Sequence, residues 1–268
     1  MKGLEHAIQV VAKLRSPEGC PWDKEQTHES LRPYLLEETY EVLEALDSGD
    51  GRALKEELGD LLLQILLHAQ IASERGEFTM DELAGDLAAK LERRHPHVFG
   101  GKKLSTSAEV AKQWELTKQK EKKKDSVLEG VPAALPALAR SLKVIEKVSK
   151  VGFQWPNAEG PVEKIHEELS EFLAELEKVG TPASINRSTV VDPALRAKLE
   201  SELGDLLFTL ANISHFLHLN PEDALRSMLA RFEKRFRHVE KRAQETGRKL
   251  EEMSLEEMDK FWLEAKSL

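Results

Sequence analysis

The chain has 268 residues, 40% of them hydrophobic and 32% charged, which is enough to bury a core beneath a heavily charged surface. Its 48 acidic and 39 basic side chains give a formal charge of −9, which disfavours a nucleic-acid partner. A single cysteine excludes a disulfide framework or a cysteine-based zinc site within one chain. No apolar stretch approaches the roughly 20 residues that a membrane helix requires, so no membrane partner is expected.

The composition is typical of a helical protein, because only 6% of the residues are aromatic and glycine and proline are sparse. Glu5 and His6 interrupt the apolar pattern near the beginning of the chain, which argues against a signal peptide. We therefore expect an all-α protein in the cytoplasm.

The sequence contains an internal repeat. Residues 57–62 and residues 202–207 both read Glu-Leu-Gly-Asp-Leu-Leu. Three further pairs of similar blocks follow the same order in both halves: 37–43 with 167–173, 90–98 with 231–239, and 109–118 with 257–266. Matching blocks in one order predict two tandem copies of an antiparallel helical-bundle unit.

A run of lysines followed by helix-breaking glycine and proline residues separates the two copies. We expect a first domain over residues 1–118, a linker over 119–134 and a second domain over 135–268. The copies differ by an insertion that begins near Gly180 in the second copy. This insertion lacks helical periodicity, which predicts a mobile surface loop.

Apolar periodicity and helix-breaking residues locate the helices of the first copy. They are predicted over about 2–15, 28–47, 52–75, 79–95 and 107–120. Ser107 and its counterpart Ser254 in the second copy are the predicted N-caps of the last helix.

Four acidic residues in each copy lie at helical spacings. Glu38 and Glu41 are three residues apart on one predicted helix, and Glu57 and Asp60 are three apart on the next. Because the turn between these helices is short, they should pack antiparallel and bring the four carboxylates together. The equivalent residues of the second copy are Glu168, Glu171, Glu202 and Asp205.

The second helix of each pair is apolar on nearly every side, so its few polar residues should face an interior cleft. These residues include Gln64 and His68 in the first copy and Thr209 and Asn212 in the second. Several carboxylates held in a partly buried place are unfavourable without a cation. Because the set offers oxygen ligands without cysteine or a paired histidine, we predict a site for Mg²⁺, with Mn²⁺ as the alternative.

Two other interpretations are open at this point. Glu-x-x-Glu taken alone is an ordinary exposed helix face in a glutamate-rich protein. Glu25-x-x-His28 and Glu163-x-x-His166 have the ligand spacing of di-iron carboxylate bundles. We disfavour iron because Glu25 lies in a polar stretch before its helix begins.

The residues around the acids resemble a known family. In the first copy, Gly-Cys-Pro-Trp-Asp at 19–23 and Gln-Thr-His at 26–28 precede the two acid pairs. In the second copy, Gly-Phe-Gln-Trp at 152–155 precedes them, and Arg-Phe-Glu-Lys-Arg-Phe at 231–236 and Trp262 follow them. Over almost the whole chain, these motifs resemble the two-domain form of the MazG family of nucleoside triphosphate pyrophosphohydrolases.

The resemblance implies an all-α homodimer that cleaves nucleoside triphosphates to monophosphate and pyrophosphate with Mg²⁺, broadly in base, as a means of cleaning the nucleotide pool. It implies that the eight acids are two sets of metal ligands. It also implies nucleotide contacts from Lys90, Arg94, Trp114 and Lys118 in the first copy and from Arg231, Arg235, Trp262 and Lys266 in the second.

Elementary chemistry fits this assignment, because a triphosphate can enter an acidic cleft only through bridging metal. Glu41 or Glu171 is our candidate for the general base that orients the attacking water. Trp114 and Trp262 are candidates for stacking on the base, although core packing is the commoner role of a single tryptophan. The alternatives are a narrower all-α pyrophosphatase, acting on dUTP, dCTP or phosphoribosyl-ATP, and a non-catalytic helical scaffold.

Overall fold

The computed structural model describes residues 2–101, 104–107, 109–110, 113–114, 117 and 125–267. These residues form helices, turns and irregular segments without a β-strand among them, which confirms the all-α prediction. The chain divides into two compact units, residues 1–123 and 124–268. Lys118, a predicted nucleotide contact, lies outside the described residues. None of the helices in the described part combines the length and apolarity of a membrane-spanning segment.

Six helices with defined bounds form the described part of the first unit. They are α1 (Lys2–Leu14), α2 (Pro21–Glu25), α3 (Arg32–Ser48), α4 (Gly51–Glu74), α5 (Met80–Arg94) and α6 (Pro96–Phe99). The helix predicted from residue 28 begins later, at Arg32. Thr27 and Ser30 form a separate turn before it, in which each backbone N–H donates to the hydroxyl of the other residue.

Helices α3 and α4 form an antiparallel hairpin, as the short turn predicts. Gly49 ends α3 in the left-handed region, with φ of +70°, where glycine adds no Cβ clash. The Asp50 side chain then caps α4 by accepting a hydrogen bond of 2.8 Å from the Arg52 N–H. Glu41 and Glu57 lie at matching distances from this turn, so the hairpin brings them to the same level.

The core of the first unit lies between α1 and α4. Val11 of α1 packs with Leu66, Leu67 and Ile71 of α4 and with Leu31, which is fully buried just before α3. Burial of such side chains contributes roughly 1.5–3 kcal/mol each and fixes the α3–α4 hairpin on α1.

Arg15 fixes the segment that precedes α3 through an ion pair and hydrogen bonds. The side chain of Arg15 is 5% exposed and pairs with Glu74 at the end of α4, with 2.8 Å between Nη2 and Oε2. The same guanidinium donates to the backbone carbonyls of Asp23 and Gln26. This network fixes α2, which the sequence analysis did not predict, against the end of α4.

The second unit repeats the hairpin. Its helices are α7 (Ala137–Ser149), α8 (Glu159–Glu177), α9 (Pro193–Phe216), α10 (Pro221–Glu245) and α11 (Leu255–Lys266), with a 3₁₀ turn at Leu250–Glu252. Helices α8 and α9 pack along each other, α7 packs on α9, and α10 packs on α11. The insertion between α8 and α9 contains turns but no regular helix, and Val190 in it is 94% exposed, which agrees with a surface loop.

The last helix of each copy begins at a capping box. In the second unit, the predicted cap is confirmed, because Ser254 accepts from the Glu257 N–H and Glu257 accepts from the Ser254 N–H. In the first unit, the predicted cap at Ser107 is wrong. Thr106 accepts from the Glu109 N–H at 3.2 Å, and Glu109 accepts from the Thr106 N–H at 3.1 Å.

Candidate active site

The polar stripes of α4 and α9 reach into the interior of their units. Gln64 on α4 is 5% exposed, and its Oε1 atom has no hydrogen-bond partner among the described residues. On α9, Thr209 and Asn212 are buried, and Asn212 Oδ1 is equally unpaired within the described part of the chain. Unpaired buried oxygens are costly, so these stripes are interior polar surfaces of the kind that the sequence predicts.

Three of the four predicted ligands in the first unit meet in one place. Glu38 and Glu41 of α3 and Glu57 of α4 each place a carboxylate oxygen within 4.8 Å of the others. We call these three residues the first acid cluster. Glu38 and Glu57 are half-buried and Glu41 is exposed. Asp60 lies outside this group of oxygens, although its charge acts on both Glu38 and Glu57.

The first acid cluster carries uncompensated negative charge. Desolvation raises the pKa of Glu38, and the charges of Asp60 and Glu41 raise it further. Desolvation also raises the pKa of Glu57, followed by the charge of Glu41. Within the described part of the first unit, no lysine or arginine forms an ion pair with these three carboxylates. The arrangement favours a bound cation.

The second unit has an equivalent cluster. Glu168 and Glu171 of α8 and Glu202 of α9 bring their oxygens within 4.8 Å of one another, and we call them the second acid cluster. Desolvation raises the pKa of Glu202, and the charges of Glu171 and Asp205 add to the effect. Asp205 again lies outside the group of converging oxygens.

A lysine side chain forms an ion pair with one member of the second acid cluster. Glu168 is 5% exposed, and its Oε1 lies 2.7 Å from the Nζ of Lys164, one turn earlier on α8. Hydrogen bonds to Glu168 and Glu167 raise the pKa of Lys164. The sequence analysis did not single out Lys164, because a Lys–Glu pair one turn apart is an ordinary helix-surface pattern.

The donor chemistry of both clusters fits a hard divalent cation. Each cluster offers three carboxylate oxygens close enough to share one ion, and neither contains a nitrogen or sulfur ligand among the described residues. The di-iron interpretation requires histidine beside the acids. His28 instead lies against His68, with 2.7 Å between the two Nδ1 atoms, and His166 is exposed outside the second acid cluster.

The histidine pair is a feature that the sequence analysis did not predict. The rings of His28 and His68 are stacked, with centroids 5.0 Å apart and planes 6° from parallel. Desolvation lowers the pKa of His68, and the neighbouring His28 lowers it further. The sequence places His68 one turn after Gln64 on the polar stripe of α4. It does not identify the partner of His68, which lies 40 residues away along the chain.

Two predicted nucleotide contacts meet in each unit. The Arg94 guanidinium lies over the Trp114 ring, 5.4 Å from its centroid, and Arg235 lies over Trp262 at 5.8 Å. Aromatic neighbours support each indole: His95 lies 4.9 Å from Trp114 and Phe232 lies 4.9 Å from Trp262, between ring centroids. The remaining described members of the predicted set, Lys90, Arg231 and Lys266, are exposed.

Comparison with known proteins agrees with this architecture. The model of the MazG nucleotide pyrophosphohydrolase domain matches residues 26–99 and 158–240, which contain both acid clusters. A Thermotoga maritima protein, "Nucleoside triphosphate pyrophosphohydrolase/pyrophosphatase MazG", is 45% identical over 98% of this chain and 95% of its own length. The "Nucleoside triphosphate pyrophosphohydrolase" of Escherichia coli is 40% identical over 99% of this chain and 98% of its own.

A third relative matches over a shorter stretch. The "Nucleoside triphosphate pyrophosphohydrolase" of Mycobacterium tuberculosis is 48% identical over 56% of this chain and 46% of its own length. The two-segment match and the full-length similarity together establish the assignment that the paired acids and tryptophans suggest. The chain belongs to the MazG family of nucleotide pyrophosphohydrolases.

Proposed function

We propose that this chain hydrolyses nucleoside triphosphates to the monophosphate and pyrophosphate in the cytoplasm, broadly in base, with Mg²⁺ held by its acid clusters. The observation that carries the proposal is the convergence of three carboxylates from two antiparallel helices, once in each unit. Such a cluster repels a polyphosphate unless a divalent cation lies between them.

Glu38, Glu41 and Glu57 would hold the cation in the first unit, and Glu168, Glu171 and Glu202 in the second, with Asp60 and Asp205 as the fourth carboxylates. When bound, Mg²⁺ supplies charge neutralisation of the phosphates and polarisation of the phosphoryl group under attack. Glu38 and Glu168 are the less exposed members on their helices, so they suit a purely structural ligand role.

The exposed acid of each cluster is our candidate general base. Glu41 and Glu171 are exposed, whereas the other members of each cluster are buried or half-buried. An exposed carboxylate on the rim can accept a hydrogen bond from a water molecule and take its proton during attack on the phosphoryl group.

Cationic and aromatic residues would bind the rest of the nucleotide. Arg94 and Arg235 offer planar guanidinium groups that match phosphate oxygens. Each lies over the indole of Trp114 or Trp262, so a phosphate contact and a stacking surface are adjacent. Stacking on an indole tolerates every base, which supports broad base specificity. Lys90, Arg231 and Lys266 add exposed positive charge for the phosphates.

A homodimer is the assembly that we propose for the active protein. Large apolar side chains are exposed on the helices that carry the acids, including Leu36 on α3, Leu58 and Ile65 on α4, and Leu207 and Leu210 on α9. Exposed large apolar side chains on these helices support an interaction surface, and a second copy of the chain is the simplest partner. Light scattering should give twice the 30.2 kDa mass of one chain.

The test of the proposed reaction is product identification with purified protein, Mg²⁺ and a panel of canonical and modified triphosphates. We expect equimolar monophosphate and pyrophosphate, and no release of single phosphate. Turnover confined to dUTP, dCTP or phosphoribosyl-ATP would favour a narrower pyrophosphatase, and no turnover at millimolar Mg²⁺ would favour a scaffold.

Loss of carboxylates from both units should abolish the reaction. The quadruple variant Glu57→Gln, Asp60→Asn, Glu202→Gln, Asp205→Asn loses, in each unit, one member of the acid cluster and the proposed fourth carboxylate beside it. The matched control, Asp86→Asn with Glu240→Gln, removes exposed acids from α5 and α10. Full activity of the quadruple variant would refute the assignment of the clusters.

A further inference from the structure

The two acid clusters differ in one charged side chain. Lys164 lies one turn before Glu168 on α8, and its Nζ is 2.7 Å from Glu168 Oε1 and 2.9 Å from Glu167 Oε1. The residue one turn before Glu38 on α3 is Tyr34. Tyr34 packs edge-on against Trp22, with ring centroids 5.8 Å apart, and brings no charge to the first acid cluster.

The pairing changes the charge that a cation would meet. Three carboxylates and one ammonium give the second acid cluster a formal charge of −2, against −3 for the three carboxylates of the first. Glu168 is almost completely buried, with a side chain 6% exposed, and Lys164 is its ion-pair partner. A buried carboxylate without a partner is strongly unfavourable, so the pair stabilises the cluster before any metal binds.

We propose that Lys164 is a built-in counter-ion of the second acid cluster, and that this cluster therefore binds divalent cations more weakly than the first. A cation that binds Glu168 Oε1 must displace the Lys164 ammonium, and a cation that binds Oε2 meets its positive charge nearby, whereas no lysine or arginine of the described residues forms an ion pair with Glu38. The inference rests on the proposed function, because it takes both clusters as metal sites. It adds that one chain carries two sites that load at different metal concentrations.

Metal binding to each cluster separately tests the inference. Glu57→Gln disables the first cluster and leaves the second to be measured, and Glu202→Gln does the reverse. Binding of Mn²⁺ alone, followed by electron paramagnetic resonance at pH 8, then gives one dissociation constant for each cluster. We expect the first cluster to bind Mn²⁺ about tenfold more tightly, which is the effect of one half-buried ion pair.

Removal of the lysine beside the second cluster, or addition of one beside the first, should change the Mn²⁺ affinity of that cluster. In the Glu57→Gln background, Lys164→Met should tighten Mn²⁺ binding about tenfold, because the competing ammonium is gone. In the Glu202→Gln background, Tyr34→Lys should weaken it. Lys143→Met, which removes an exposed lysine paired with Glu146 on α7, is the matched control and should change neither constant.

The predicted gain of affinity separates this role from a purely structural one. If Lys164 only supported the position of Glu168, Lys164→Met would weaken Mn²⁺ binding, and a poorly folded variant would weaken it too. Equal Mn²⁺ affinity of the two clusters, or a Lys164→Met variant that binds no more tightly, would overturn the inference while pyrophosphate release by the unsubstituted chain kept the proposed function. Absence of Mn²⁺ binding from both clusters would overturn both.

Discussion

The Arg235 guanidinium lies over the Trp262 ring, 5.8 Å from its centroid, and so joins α10 to α11 in the second unit. Phe232, one turn before Arg235, contacts the same indole at 4.9 Å between centroids. Arg94 and Trp114 repeat the pairing in the first unit. The recurrence places a guanidinium and an indole side by side in both copies, which is the arrangement that the proposed phosphate contact and stacking surface require.

Replacement of Trp262 should therefore weaken nucleotide binding more than it slows catalysis. Trp262→Ala removes a stacking surface, and we expect KM for the triphosphate to rise about tenfold with a smaller change in kcat. Steady-state kinetics of Trp262→Ala in a Glu57→Gln background measure the second unit alone, and the double alanine variant of Trp114 and Trp262 tests both units together. Trp155→Phe is the control, because Trp155 is not part of the proposed nucleotide site. Unchanged KM in the double alanine variant would remove both tryptophans from that site.

The exposed glutamate of each cluster should affect catalysis more than metal binding. In a Glu57→Gln background, which disables the first unit, Glu171→Gln keeps the size of the side chain but removes the proton acceptor, so kcat should fall about a hundredfold with Mn²⁺ affinity changed severalfold at most. Comparison with Glu41→Gln tells which unit turns over, because only the variant of an active unit loses rate. Glu177→Gln, on an exposed position of α8, is the control. If Mn²⁺ affinity and kcat fell together, Glu171 would be a metal ligand and not the general base.

Glu38 and Glu168 occupy equivalent positions among carboxylates, but among the described residues only Glu168 has an ion-pair partner. The charges near Glu38 are carboxylates, and they raise its pKa together with desolvation. Glu168 is paired with Lys164. Without metal, Glu38→Gln removes repulsion, whereas Glu168→Gln removes the buried one of the two carboxylates that pair with Lys164.

The same substitution should thus have opposite effects on stability. In chelator at pH 8, we expect Glu38→Gln to raise the melting temperature by about 1–2 °C and Glu168→Gln to lower it by about 2–4 °C. Differential scanning calorimetry checks both, with Glu177→Gln as the exposed reference on α8. A lower melting temperature for Glu38→Gln would mean that the first acid cluster is not under electrostatic strain.

The sequence was sufficient to predict the hairpin and its acids, because the helical period, the short turn at Gly49 and the internal repeat agree with one another. The sequence analysis did not identify Lys164 as a site residue, for a physical reason. A lysine one turn from a glutamate is common on exposed helices, and only burial of Glu168 turns the pair into a determinant of the site. Asp60 and Asp205 share the helix faces of Glu57 and Glu202 but lie outside the converging oxygens.

Hydrogen bonds account for two other differences between the predicted and the observed structure. Ser107 and Thr106 are adjacent cap candidates, and Glu109 three residues after Thr106 is the signal that would have chosen the threonine. The contact between His28 and His68 depends on how the segment before α3 folds over α4, which no local pattern in the sequence reports. The nature of the bound cation and the roles of the nucleotide contacts stay predictions.

The His28–His68 pair should make the stability of the first unit depend on pH. The pKa of His68 is lowered from its ordinary value of 6.5 by desolvation and by His28, so the folded state favours the neutral ring. The unfolded chain then binds the proton more readily, and folding stability falls as the pH drops below 6.5 toward the lowered pKa. The stabilising effect of the neutral ring is fully present above pH 6.5.

Thermal unfolding of His68→Gln should show a weaker dependence on pH than that of the unsubstituted chain. Between pH 7.5 and pH 5.5, we expect the unsubstituted chain to lose about 2–4 °C more in melting temperature than the variant, since the glutamine cannot take up a proton. His215→Gln in the second unit is the control, and its pH dependence should match that of the unsubstituted chain. The same slope for His68→Gln would show that the neutral state of this pair does not contribute to the stability of the fold.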